Sequence, residues 1–168
     1  MSDTVVIKSF GVFWEREHIE WGHKGPGGAG TLLGYATTPS KSIDFREQRG
    51  IYVLYEGVDI ASHRVIYVGQ AGSGHQDLFH RLRNHRDDHL WNRWQRFSWF
   101  GFLGVGTQGL VHKRKASTGA LTMAVALDQM EAILIALLEP LRNSQGPKWR
   151  GATEYFQVHK RTDPPSAG

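Results

Sequence analysis

The sequence predicts a single mixed α/β domain, and three observations carry that expectation. A length of 168 residues is enough to bury one core and short for two. Two β-branched runs, Gly50 to Tyr55 and Val65 to Gly69, stand one turn apart, as paired strands do. Apolar residues at helical spacing mark two further segments, about 75–88 and about 121–138, as helices.

Taken in order, Val5 to Trp21 and Thr31 to Thr37 read as strands joined by the loop Gly22 to Gly30, giving an N-terminal hairpin extension over residues 1–49. A glycine-rich loop cradles phosphate when a helix starts directly after it. Here another strand-like run follows, so the loop reads as a flexible turn. Thr38 to Lys41 is a short linker. Gly50 to Tyr55 then forms a strand of strong β propensity, Glu56 to Asp59 turns the chain, and Val65 to Gly69 returns as its partner. A helix is expected from about His75 to Asp88, capped near Ser73 or Gly74, with Leu78, Phe79 and Leu82 as its buried stripe. Phe97 to Leu103 is a third core strand, and Val111 to Lys115 a basic connection out of it. The long helix from Leu121 to Leu138 is apolar around most of its circumference and reads as a core element. Pro140 ends it. A final strand is expected at Thr153 to Lys160, within a basic C-terminal segment (residues 144–168) whose last residues, Asp163 to Gly168, read as disordered.

Composition narrows the function classes. Lysine and arginine total 20 against 16 acidic residues, for a net charge of +4 and a pI near 9.5, which favours a polyanionic partner. The chain has no cysteine, so disulfides and thiolate metal sites are excluded, as suits a cytoplasmic protein. No basic and then apolar leader opens the sequence and no apolar run approaches the roughly 20 residues of a membrane span, so neither secretion nor a membrane partner is expected.

The residues able to carry chemistry are few. Tyr52 and Tyr67 each place a phenol in an apolar strand, and Arg81 and His85 sit one helical turn apart at the edge of the buried stripe, so both lean over the sheet toward one ligand. Ordinary cross-strand packing is the default role of such tyrosines. Glu131 interrupts the long apolar helix with no basic neighbour one turn away. A buried carboxylate there calls for a cation or a proton, whereas a narrow solvated stripe shared with Asp128 is the alternative. Asn143 is either an orienting group near Glu131 or a cap after the helix. Nine histidines raise the question of zinc, but His75, His80, His85 and His89 are spaced by five, five and four, which repeats no ligand pattern. Trp91, Trp94 and Trp99 beside Arg93 and Arg96 read as core aromatics leading into a strand more than as a stacking surface for bases.

Five of these features occur in one order. Gly50-Ile51-Tyr52, Tyr67-Val68-Gly69, Arg81 with His85 on the following helix, Glu131 on a later helix and Asn143 beyond it resemble the motifs of the GIY-YIG endonuclease family, with valine in place of the usual isoleucine in the second signature. The likeness spans Gly50 to Asn143. Arg83, the rival to Arg81, lies about 200° round the helix from it, on the solvated side.

The resemblance implies an α/β fold with a small antiparallel sheet flanked by helices, and hydrolysis of phosphodiester bonds in DNA, with RNA not excluded, by a monomer or homodimer. It implies that Glu131 holds Mg²⁺ or Mn²⁺, that Arg81 forks onto the scissile phosphate, and that Tyr52 accepts the proton of the attacking water while Tyr67 positions water or phosphate. A free phenol titrates near 10, too high for a base at neutral pH, whereas an imidazole titrates near neutrality, so the base is Tyr52 or His85. An inactive nucleic-acid-binding module of the same fold is the alternative function.

Overall fold

The computed structural model describes residues 6–22, 30, 32–37, 42–72, 76–106, 123–138, 149 and 151–159, with the side chains of residues 60, 123–128 and 131 outside that description. Among the described residues, eight strands and two α-helices follow in chain order: β1 (Ser9–Glu15), β2 (Glu20–Trp21), β3 (Leu32–Tyr35), β4 (Ser42–Asp44), β5 (Gly50–Glu56), β6 (Arg64–Ala71), α1 (Leu78–Asp87), β7 (Arg96–Gly101), α2 (Met123–Leu138) and β8 (Thr153–Glu154). The fold is mixed α/β, as the sequence predicts.

The larger sheet runs β6-β5-β7-β1-β8 and the smaller β2-β3-β4. In the larger, β5 pairs antiparallel with β6 and with β7, setting Tyr52 opposite Gly69 on one side and Trp99 on the other. The expected hairpin of the two tyrosine strands is therefore present. β1 lies antiparallel to β7 and parallel to β8. Its first half and second half are offset between Gly11 and Trp14, where Phe13 takes a φ of 54°, the backbone signature of a bulge.

The N-terminal residues thus depart from the expected extension. The run read as one strand, Val5 to Trp21, is broken by a 3₁₀ turn at Arg16–His18. Its first part enters the main sheet, and the hairpin survives as two pairs, Glu20 with Leu33 and Trp21 with Leu32. The reason lies in β1 itself: Phe10 and Trp14 are both buried, and they join different core clusters, so this strand needs cover on both faces. The expected final strand is also shorter, reduced to Thr153–Glu154 and one bridge from Gln157 to Ala36. The connection at 111–115, Pro140 and the tail from 160 lie outside the described residues.

The two helices sit on opposite faces of the larger sheet. Leu78, Phe79 and Leu82 of α1 join Tyr52, Leu54, Phe97 and Trp99 in one core. Ile133, Ala136 and Leu137 of α2 pack with Phe10 and Phe100 in another, and Leu137 also meets Val53 and Tyr55. α2 is not buried all round, as its composition suggests: Met130, Leu134 and Leu138, each four apart, are 62%, 54% and 66% exposed. Among the described residues no helix is long and apolar enough to cross a membrane.

Candidate active site

Helix α1 is fixed before it presents any side chain. Asp77 caps it, accepting from the His80 N–H at 2.9 Å, where Ser73 or Gly74 was expected; those two residues lie outside the described residues. The Leu78 and Phe79 N–H groups, unsatisfied by the helix itself, donate to the Gln48 and Phe45 carbonyls at 2.7 and 3.2 Å. Pinned in this way, α1 turns Arg81 and His85 toward the Tyr52 side of β5 and β6.

Four of the six candidate residues converge there. The Tyr52 hydroxyl and His85 Nε2 lie 2.8 Å apart. Arg81 donates from Nη2 to the Tyr67 hydroxyl and from Nη1 to Gln76 Oε1, each at 3.2 Å, while its Nε is buried without a partner. The rings close the group, with centroids 5.9 Å apart for Tyr52 and Tyr67 and 4.6 Å for Tyr67 and His85. Tyr52 and His85 are buried, and Tyr67 and Arg81 half-buried, so the cluster has a sheltered side and an approachable one.

Gly69 makes this packing possible. It faces Tyr52 across the strand pair, and a Cβ there would stand 2.4 Å from the phenol Cζ and Oη. Gly69 is thus the floor on which the Tyr52 ring lies. Gly50 has a different reason, a φ of 149° and a built Cβ only 1.9 Å from the Phe100 carbonyl oxygen.

A residue that sequence reasoning missed completes the sheltered side. Asp88 Oδ2 lies 2.6 Å from His85 Nδ1, and its Oδ1 accepts from the Leu90 N–H at 2.8 Å. A carboxylate can only accept, so Nδ1 carries the proton; in the neutral ring Nε2 is then free to accept from the Tyr52 hydroxyl. The result is a chain from Tyr52 through His85 to Asp88. Its signal was legible as an aspartate three residues after His85 at the helix end.

The electrostatics set the roles apart. Burial pushes the Tyr52 phenol well above its ordinary range, and this outweighs the pull of the Arg81 guanidinium toward ionisation. Arg81 is held charged: burial disfavours its cation, but contact with Tyr52 and Tyr67 outweighs that and raises it.

The remaining candidates do not join the cluster. Arg83 is held over the Phe79 ring, 5.4 Å from its centroid. Trp94 and Trp99 are fully buried, so they are core, as expected. Glu131 belongs to α2, with its side chain outside the described residues, and Asn143 lies wholly outside them. Since α2 packs its 133, 136 and 137 side chains on the far face of the sheet, it does not bring a described residue to Tyr52. Nor does any described trio of histidine and acidic side chains beside Tyr52 and Arg81 have the spacing to share a cation, and both Asp88 oxygens are engaged.

Comparison of the chain with family models, with curated proteins and with solved structures finds no match in any of the three.

Proposed function

We propose that the protein is an endonuclease that hydrolyses phosphodiester bonds in DNA, with a GIY-YIG-type site. The observation that carries this reading is the convergence of Tyr52, Tyr67, Arg81 and His85 from two strands and one helix. The net charge of +4 suits a polyanionic substrate, and the absence of cysteine suits a reducing compartment such as the cytoplasm.

In this reading Arg81 receives the scissile phosphate on the approachable side, exchanging its contacts to Tyr67 and Gln76 for phosphate oxygens. Tyr52 and His85 act in series rather than as rivals. Attacking water passes a proton to the Tyr52 oxygen as Tyr52 passes its own to His85 Nε2, and Asp88 stabilises the imidazolium that forms. A relay suits a phenol whose ionisation is disfavoured by burial, because no free phenolate has to persist. The new bond forms from water oxygen to phosphorus, the bond to the leaving oxygen breaks, that oxygen takes a proton from solvent, and Arg81 faces the charge that develops at the phosphate.

The resemblance also assigns Mg²⁺ or Mn²⁺ to Glu131, and no step above passes through that ion. The alternative is a DNA-binding module of the same fold without catalysis. Incubating supercoiled plasmid, single-stranded DNA and RNA with the protein in Mg²⁺, in Mn²⁺ and in chelator separates the two. Metal-dependent products lost in Glu131→Ala support the nuclease and its metal carboxylate. Products that persist in chelator retain the nuclease and remove the metal, and DNA binding without products establishes the module.

A further inference from the structure

Another set of ligating side chains gathers at the end of β1, apart from Tyr52 and Arg81. Glu15 is the last residue of β1 and precedes the 3₁₀ turn Arg16–His18. Side chains three apart eclipse in such a turn, and His18 Nε2 accordingly lies 2.9 Å from Glu15 Oε2. The His159 ring stacks on that of His18, with centroids 3.4 Å apart. One ligand atom from each of the three falls within 4.8 Å of the other two.

The arrangement is held from several directions. Gln157 clasps the Glu15 backbone, accepting from its N–H at 2.5 Å and donating to its carbonyl at 2.9 Å, and the Val158 N–H donates to the Tyr35 carbonyl at 2.8 Å. Residues two apart on an extended chain share a side, so fixing Gln157 beside Glu15 delivers His159 to His18. Arg96 Nη2 meets Glu15 Oε1 at 2.9 Å, which orients the carboxylate and leaves Oε2 directed at the His18 imidazole, as outer partners of metal ligands do. The Arg96 charge opposes a cation, so the site calls for ligands that bind strongly through nitrogen.

We propose that Glu15, His18 and His159 form a site for a divalent transition-metal ion of the zinc type, which ties the C-terminal segment to the turn after β1. Two imidazoles with one carboxylate suit Zn²⁺ and not Mg²⁺ or Ca²⁺, which prefer oxygen ligands. Three protein ligands leave a fourth position for water. Binding opens the stacked rings so that one nitrogen lone pair of each reaches the ion. The inference stands apart from the nuclease reading.

Titration of the metal-stripped, tag-free full chain by calorimetry tests it, first with Zn²⁺ and then with Mg²⁺. The expected result is one Zn²⁺ per chain, no response to Mg²⁺, a melting temperature that rises with zinc concentration, and affinity weakened by more than about tenfold in His159→Ala and in Glu15→Gln. His159 is exposed, so its replacement leaves the fold in place. Co²⁺ gives a second readout, a visible absorption band that His159→Ala abolishes. No saturable zinc binding, or binding unchanged in His159→Ala and His18→Ala, overturns the proposal.

Discussion

Replacing Asp88 by asparagine tests the proton relay with the least disturbance to the fold. Oδ1 of the new side chain keeps the bond from the Leu90 N–H, and the amide nitrogen takes the place of Oδ2, which lies 2.6 Å from His85 Nδ1. An amide N–H offered to Nδ1 requires Nδ1 to accept, so the ring proton moves to Nε2 and Tyr52 loses its acceptor. A charge-assisted hydrogen bond contributes about 1.5–3 kcal/mol. Asp88 is 32% exposed, which places the stabilisation lost near the lower figure and the fall in melting temperature at about 3–6 °C. The rate suffers more, because losing a positioned proton acceptor costs about 10²–10⁴-fold. Single-turnover nicking of plasmid DNA gives the rate, and two-bond ¹⁵N–¹H correlations of the ring give the tautomer. A wild-type rate in Asp88→Asn, or a His85 proton that stays on Nδ1, refutes the relay.

Three further outcomes follow from the same geometry. Gly69→Ala drives a Cβ to within 2.4 Å of the Tyr52 ring and should destabilise the protein by about 1–3 kcal/mol, read by denaturant unfolding, with Tyr52 displaced from His85. Arg81→Lys keeps the charge but loses the planar fork, so cleavage should fall by about 10²–10³-fold while DNA binding changes little. The folded Tyr52 holds its proton to higher pH than the unfolded chain does, so the stability it contributes is complete below the ordinary phenol value near 10 and is lost as pH rises above it. Thermal melts from pH 8 to 11 should fall more steeply for wild type than for Tyr52→Phe, and parallel curves would contradict the shift.

What was legible in the sequence followed local rules. The strands around Tyr52 and Tyr67, helix α1 with its Leu78, Phe79 and Leu82 stripe, and the approach of Arg81 and His85 all arise from periodicity within about forty residues. What was missed depends on long-range partners. From sequence β1 reads as half of an N-terminal hairpin, because a strand flanked by β7 and β8 and covered on both faces by two cores shows no alternation that separates it from an edge strand. β4 escaped notice because Ile43 stands alone between Ser42 and Asp44. α2 reads as apolar around most of its circumference, so the sequence does not reveal that 130, 134 and 138 face outward or which face of the sheet it covers. The Asp88 contribution was visible as spacing but gains meaning only once His85 is seen against Tyr52.

The central claim is that the cluster around Arg81 cleaves DNA, and the most direct test compares wild type with Arg81→Ala in single-turnover cleavage of one plasmid at equal bound fraction. The account predicts products from wild type and a rate at least about a hundredfold lower in the variant. Equal rates from the two proteins, or bound DNA left intact by wild type in every metal and in chelator, would contradict it.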